Sequence, residues 1–152
     1  MTAASLVARA QHLHERAEGM LDKLQSLFAL AIRLYLARVF IASALTKIES
    51  WSGTLALFEN EYHVPLLSPA AAALVGTAAE FGLPLLLLAG LGTRFAALAL
   101  FAFNAVAVVS YPDLSDAGLK DHILWGALML MLAVYGPGKL SVDRLLARGD
   151  VR

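Results

Sequence analysis

Four apolar stretches of about twenty residues dominate the chain, separated by a short turn at 90–94 and longer connections at 47–68 and 111–116. They predict membrane-crossing helices over residues 27–46, 69–90, 95–110 and 117–135. The last two stand near the lower length limit for a span. Ser68 and Pro69 form a cap and first-turn pair ahead of the second span, and Gly136-Pro137-Gly138 ends the fourth. Ahead of the first span, Leu6, Ala10, Leu13, Ala17, Met20, Leu21 and Leu24 share one side of a helical wheel. Arg9, Glu15, Arg16, Asp22 and Lys23 fall largely elsewhere. Residues 1–26 are therefore expected to form an amphipathic helix, best suited to the membrane interface. The seven-residue spacing of Leu6, Leu13, Met20 and Leu27 keeps a short coiled coil open. The fold class expected is all-α: a four-helix membrane domain over 27–138, preceded by the amphipathic helix and followed by a tail over 139–152.

Composition supports this reading, because 59% hydrophobic residues leave too few polar ones to coat a soluble globule of this size. Twelve basic and twelve acidic residues give zero net charge, which suggests no nucleic-acid partner. Cysteine is absent, so disulfides, thiolate metal sites and thiol redox chemistry are excluded, and a redox role requires a bound cofactor or a partner. No metal site is expected: His12 and His14, or His63 with Met129 and Met131, make no persuasive ligand pattern. No cleavable signal peptide is evident ahead of the first span.

Charge also sets a topology. Arg9, Arg16, Lys23, Arg94, Lys139, Arg144, Arg148 and Arg152 belong to the termini and the short 90–94 turn, against Lys47 and Lys120 on the other face. The positive-inside rule then places both termini in the cytoplasm of a bacterial inner membrane and the 47–68 loop outside. Trp51, Phe58, Tyr62, His63, Pro65 and Leu66 suit that loop to a short interfacial helix, and residues 141–146 to another.

Ionisable groups at depth mark the places to seek function. Arg38 and Glu80 both come out roughly 15 to 17 Å from the cytoplasmic end of their spans. They are expected to meet as an ion pair, with Asn104 in the same layer. Arg33 is shallower and is expected to snorkel. Gly76, Glu80 and Pro84 form one stripe of the second span, which should face protein or a cavity. Lys47, Glu49, Asp121 and His122 suggest a second layer nearer the outside, with Trp125 an aromatic wall beside it and Gly126 a place for close packing or a ligand.

Arg38-Val39-Phe40, Leu45-Thr46-Lys47-Ile48, Ala79-Glu80-Phe81-Gly82, Gly90-Leu91-Gly92-Thr93-Arg94, Asp121-His122 and Gly136-Pro137-Gly138-Lys139-Leu140-Ser141-Val142-Asp143 together resemble the DoxX family of small bacterial membrane proteins. The resemblance spans about residues 30–145. It implies a four-helix membrane bundle working beside redox enzymes or quinones, as the DoxD-like subunits of thiosulfate:quinone oxidoreductase do. It also implies that Arg38, Lys47, Glu80 and His122 match polar family sites.

The leading expectation is a quinone-interacting or redox-accessory subunit. Arg38, Glu80, Asn104, His122, Trp125 and Lys47 are its candidate ligand-binding residues, with Glu80 handling protons and quinone the one cofactor in view. A self-contained enzyme is not expected, because the chain has no haem-ligating pair and no nucleotide loop. The alternatives are a scaffold for a redox, metal-stress or peptide-modifying system, and a small-solute or metal transporter. The bilayer is the partner every reading requires, with a redox-enzyme or accessory protein, or further copies of the chain, as open additions.

Overall fold

The computed structural model describes the backbone of residues 3–149 and the side chains of residue 9 and residues 11–147. The side chains of Leu6, Ala10, Arg148 and Arg152 lie outside what it describes. Six helices follow in order: α1 Ala3–Glu49, α2 Trp51–Asn60, α3 Pro69–Ala89, α4 Thr93–Ser110, α5 Asp116–Tyr135 and α6 Val142–Gly149. Four of them, α1, α3, α4 and α5, are long and apolar enough to cross a membrane. The class is all-α, as expected.

The spans begin and end where local chemistry dictates. Ser68 caps α3, its hydroxyl accepting from the amide of Ala71 with Pro69 in the first turn, and Ser115 caps α5 by accepting from Gly118. α3 stays helical through Pro84, and Gly76, Glu80 and Pro84 are all buried, so that stripe does face protein. α1 packs chiefly on α3 and α4 chiefly on α5, while α1 and α5 touch only lightly. Phe40, Leu87, Leu100, Met129 and Leu132 are central to the shared core. Gly126 is used for close packing: an added Cβ would stand 3.3 Å from the Phe101 ring and 3.5 Å from the Asn104 amide nitrogen.

The expected boundary between amphipathic helix and first span is not marked by any break. α1 is one helix of 47 residues, about 70 Å long, and Ser26 is the first buried residue among those whose side chains are described.

At the end of the bundle carrying the α3–α4 turn, here the turn end, the arginine of α1 that is buried is Arg33 and not Arg38. Arg33, expected to snorkel, is 1% exposed. Its Nε donates to the carbonyl of Leu87 at 2.6 Å, Nη2 to Leu88 at 2.9 Å, and Nη1 to Leu140 at 2.6 Å and Pro137 at 3.2 Å. Leu87 and Leu88 belong to the last turn of α3, whose carbonyls have no partner within the helix. The fork of guanidinium donors reaches those carbonyls and the returning 136–140 strand of chain together. Gly90 makes this approach possible: it has φ +70°, and a Cβ there would fall 2.5 Å from Arg33 Nη2 and 2.6 Å from Ser141 Cβ.

Asp143 completes the clasp from the other side. Its carboxylate accepts from the amides of Gly92 at 2.7 Å and Thr93 at 2.9 Å, capping α4, while its own amide donates to the Gly90 carbonyl at 2.9 Å. Burial pushes the Asp143 carboxyl up, but the Thr93 and Gly92 amides and the Arg33 charge outweigh it and hold the group below its ordinary pKa. A depressed pKa contributes stability above the unfolded value, near 3.9, and that contribution is lost as pH falls through the folded value.

Arg33→Lys keeps the charge but not the fork, and is expected to cost about 1 to 3 kcal/mol in a thermal melt, because one ammonium cannot serve the carbonyls of α3 and of the 137–140 segment together. Asp143→Ala is expected to cost roughly 1 to 2 kcal/mol at neutral pH, the worth of a helix cap. Its deficit relative to wild type should narrow below about pH 4 in melts across a pH series; a deficit independent of pH would argue against the carboxylate cap.

Candidate functional site

The polar residues of the spans fall into two separate groups, neither of them the layer of Arg38, Glu80 and Asn104 expected from depth alone. Glu80, only 8% exposed, is held by Lys47: Nζ stands 2.7 Å from Oε2, while the Ser43 hydroxyl donates to the same oxygen at 3.2 Å. Ser43 also accepts from Lys47 Nζ at 2.8 Å, one helical turn away on α1, so the three groups form a closed triangle. The Arg38–Glu80 pair is thereby corrected. Arg38 is exposed. Five residues beyond Arg33, it is turned about 140° from it around the helix, away from the seam that packs on α3.

Asn104, buried on α4, pairs with α5 instead of Glu80. Its Nδ2 donates to the His122 carbonyl at 3.0 Å, and its Oδ1 lies 2.7 Å from His122 Nδ1. The first bond fixes the amide's orientation, so Oδ1 accepts from Nδ1–H and the His122 Nε2 is left as an acceptor. Trp125 stands edge-on to His122 and Phe40, with ring centroids at 4.9 and 5.5 Å, and its indole N–H donates to the Tyr35 hydroxyl at 3.2 Å. The expected association of His122 with Trp125 is present. Glu49 and Asp121 are exposed.

Beside the Lys47–Glu80 pair is a cavity of about 230 Å³ between α2, α3 and α4. Phe58, Tyr62 and Phe103 provide aromatic walls, and Gly76 leaves the space between the rings of Phe58 and Phe103 open. Its lining on α3 runs from Ala72 to Glu80 and on α4 from Phe103 to Ser110, about 12 Å of helix. Val75 and Val106 line it and are both exposed, so it opens sideways between α3 and α4. Polar groups stand at its two ends. Lys47 and Glu80 are at one, and at the other is Ser110, whose fully buried hydroxyl has no hydrogen-bond partner. The buried hydroxyls of Thr77 and Thr93 are without a partner as well, and Ser110 is the one of the three that lines the cavity. The outer wall is braced by the stacked rings of Phe58, Tyr62 and Tyr111 and by the His63 amide donating to the Ser110 carbonyl at 2.8 Å. Burial, with the charge of Glu80 next, raises the Tyr62 phenol above its ordinary pKa and keeps it protonated at neutral pH.

A DoxX family model matches residues 28–112. The chain belongs to the DoxX family. The match takes in α1 from Phe28 onward, α2, α3 and α4, and hence Arg33, Lys47, Glu80, Asn104 and Ser110; α5 with His122 and Trp125 lies beyond it. This DoxX protein is also 33% identical over 128 residues to a Haemophilus influenzae protein described as uncharacterized, a match that covers 78% of this chain and 83% of that one. No solved structure matches.

Of the six residues expected to bind a ligand, then, Lys47 and Glu80 meet at the cavity. Asn104, His122 and Trp125 meet at the α4–α5 contact, and Arg38 stands apart. Ser110 and Ser43 were not anticipated. Ser43 had a readable signal, its i, i+4 spacing from Lys47, whereas Ser110 is one hydroxyl at the end of a span and gains meaning only from the cavity.

Removing one partner of a buried ion pair strands the other. Lys47→Met is therefore expected to lower stability by about 3 kcal/mol or more, and Lys47→Met with Glu80→Leu to recover much of it. Thermal melts of the two single variants and the double variant decide this; additive losses would argue against the pairing.

Proposed function

We propose that this DoxX protein is a quinone-binding accessory subunit of the bacterial inner membrane, with the ring of the quinone seated in the α2–α3–α4 cavity. The observation that carries the reading is an apolar, aromatic-walled slot with an ion pair at one end and an unpartnered hydroxyl at the other. That is the pattern of a small-molecule site, mostly apolar with a few placed polar groups. A volume of about 230 Å³ falls below the ~300 Å³ at which drug-sized ligand pockets begin, which favours a single ring with its tail left outside. The sideways opening suits a ligand that arrives through the bilayer.

In this reading Lys47 and Ser110 donate to the ring oxygens. Glu80 takes up or releases one of the two protons that accompany reduction or oxidation of the ring by a partner enzyme. Phe58, Tyr62 and Phe103 hold the ring plane. The distribution of Lys and Arg supports cytoplasmic termini, which puts the cavity in the outer half of the membrane. In this reading electrons come from the partner enzyme, the chain having no thiol couple of its own.

The test is titration of purified protein with a short-tailed quinone. Wild type should bind saturably. Gly76→Leu, which fills the space between Phe58 and Phe103, should abolish binding. Ser110→Ala should weaken it about tenfold, the worth of one hydrogen bond of roughly 1.4 kcal/mol. Binding that is unaffected by Gly76→Leu in a protein of normal melting temperature would remove the cavity from consideration, and no binding by wild type would remove quinone.

A further inference from the structure

Before it enters the bundle at Ser26, α1 runs for about 35 Å with every described side chain exposed. Leu13, Met20, Leu21 and Leu24 are 54 to 67% exposed on this stretch. A contiguous apolar stripe of this kind is a docking face. We propose that it pairs with the same stripe of a second copy, forming a parallel two-stranded coiled coil that makes the protein a dimer.

Three observations select this occupant. First, α1 has no break between Ala3 and Glu49, and the segment after α5 is locked to it where it leaves the bundle. The Lys139 amide donates to the Ser26 hydroxyl at 3.2 Å, and a Cβ on Gly138 would stand 3.1 Å from the Ser26 backbone. Lying flat on a membrane surface would require a bend that α1 lacks. Second, the apolar positions keep a strict seven-residue repeat: Leu6, Leu13, Met20, Leu27 and Leu34 at one core position, and Ala10, Ala17, Leu24 and Ala31 at the other. A period of 3.5 sustained over four heptads is the signature of a helix supercoiled on a partner, and alanines allow close approach. Two copies inserted in one membrane with the same topology present these helices parallel and in register, as a self-complementary seam requires.

Third, the flanking charges are compatible. In a parallel pair Arg9, Arg16 and Lys23 of one copy face His14, Leu21 and Phe28 of the other, so no strand of like charges meets. His14 is itself paired with Glu18 at 3.1 Å, and Glu15, Glu18 and Asp22 sit on the far side from the seam. The repeat ends inside the bundle at Arg38, which occupies the next core position and would meet its own copy across the axis. The coil is thus confined to the projecting helix and its entry into the bundle, leaving the cavity independent of it.

The absence of cysteine makes the test direct. Single-cysteine variants Leu13→Cys and Leu24→Cys on the seam, and Glu15→Cys and Asp22→Cys on the far side, are oxidised in native membranes. The seam pair should form disulfide-linked dimers and the far-side pair should not. In nanodiscs wild type should have a dimer's mass, and Met20→Glu should shift it to monomer with the bundle's melting temperature unchanged. Equal cross-linking at all four positions, no cross-linking at the seam, or a monomeric wild type would overturn the proposal. A mass matching one copy plus a different protein would do so too.

Discussion

Backbone groups that enter a bilayer must find partners within the protein, and the hardest to satisfy are the carbonyls at a helix end that is itself buried. In this chain that problem is solved at one point. Arg33 serves the last turn of α3 and the 136–140 segment with a single guanidinium, and Asp143 serves the opposite need, the free amides at the start of α4. Opposite charges thus face opposite helix ends in the sense the helix dipole favours. Because four elements converge there, α1, the α3–α4 hairpin, the end of α5 and α6 are held in one arrangement, and the register of α1 against α3 is fixed.

That register is what brings Lys47 to Glu80. Measured from Arg33 and Leu87, α1 and α3 run antiparallel with residue numbers summing to about 120. By that rule Ser43 lies about one turn and Lys47 about two turns beyond Glu80's level, and side chains on a helix lean toward its N-terminus. Lys47 therefore reaches back along α1 over Ser43 to meet the carboxylate. A charged pair this deep carries a desolvation cost that well-packed hydrophobic residues would avoid, so stability alone does not account for it, and its place beside a cavity is what the proposed function rests on.

Much of the fold was legible because span length, capping residues and breakers are local properties. Ser68-Pro69 and Gly136-Pro137-Gly138 bound their helices as read, and the stripe of Gly76, Glu80 and Pro84 turned inward as its surroundings required. The clasp and the ion pair were legible only as residues. Depth can be counted along a helix, and by depth Arg38 fits Glu80 well; the side of the helix on which Arg38 stands depends on where α3 packs, which no count along α1 contains. Arg33 is thus the buried arginine and Arg38 the exposed one, while Lys47 takes the place expected of Arg38 beside Glu80. Counting also treats a side chain as a point, and Lys47 was placed too near the surface because the length of its stem was left out. The sequence motifs at 90–94 and 136–143 stood out as carriers of the family resemblance without any indication that they touch.

The contrast between the two ends of the bundle bears on how the site works. At the turn end Arg33 and Asp143 satisfy the free carbonyls of α3 and the free amides of α4, and only the buried Thr93 hydroxyl is left without a partner among the described residues there. The opposite end keeps an orphaned Ser110 hydroxyl, an unfilled space beside Gly76 and an ion pair with apolar walls. A protein whose only task was to hold a partner's surface would gain nothing from such incompleteness within its own span, since each unmet group and each void subtracts from stability. The cost is tolerable here because the clasp fixes the helices independently of the cavity. In the proposed reading, a ligand entering between α3 and α4 would find the register of Lys47 and Glu80 already set, which is the pre-organisation that lowers the cost of binding.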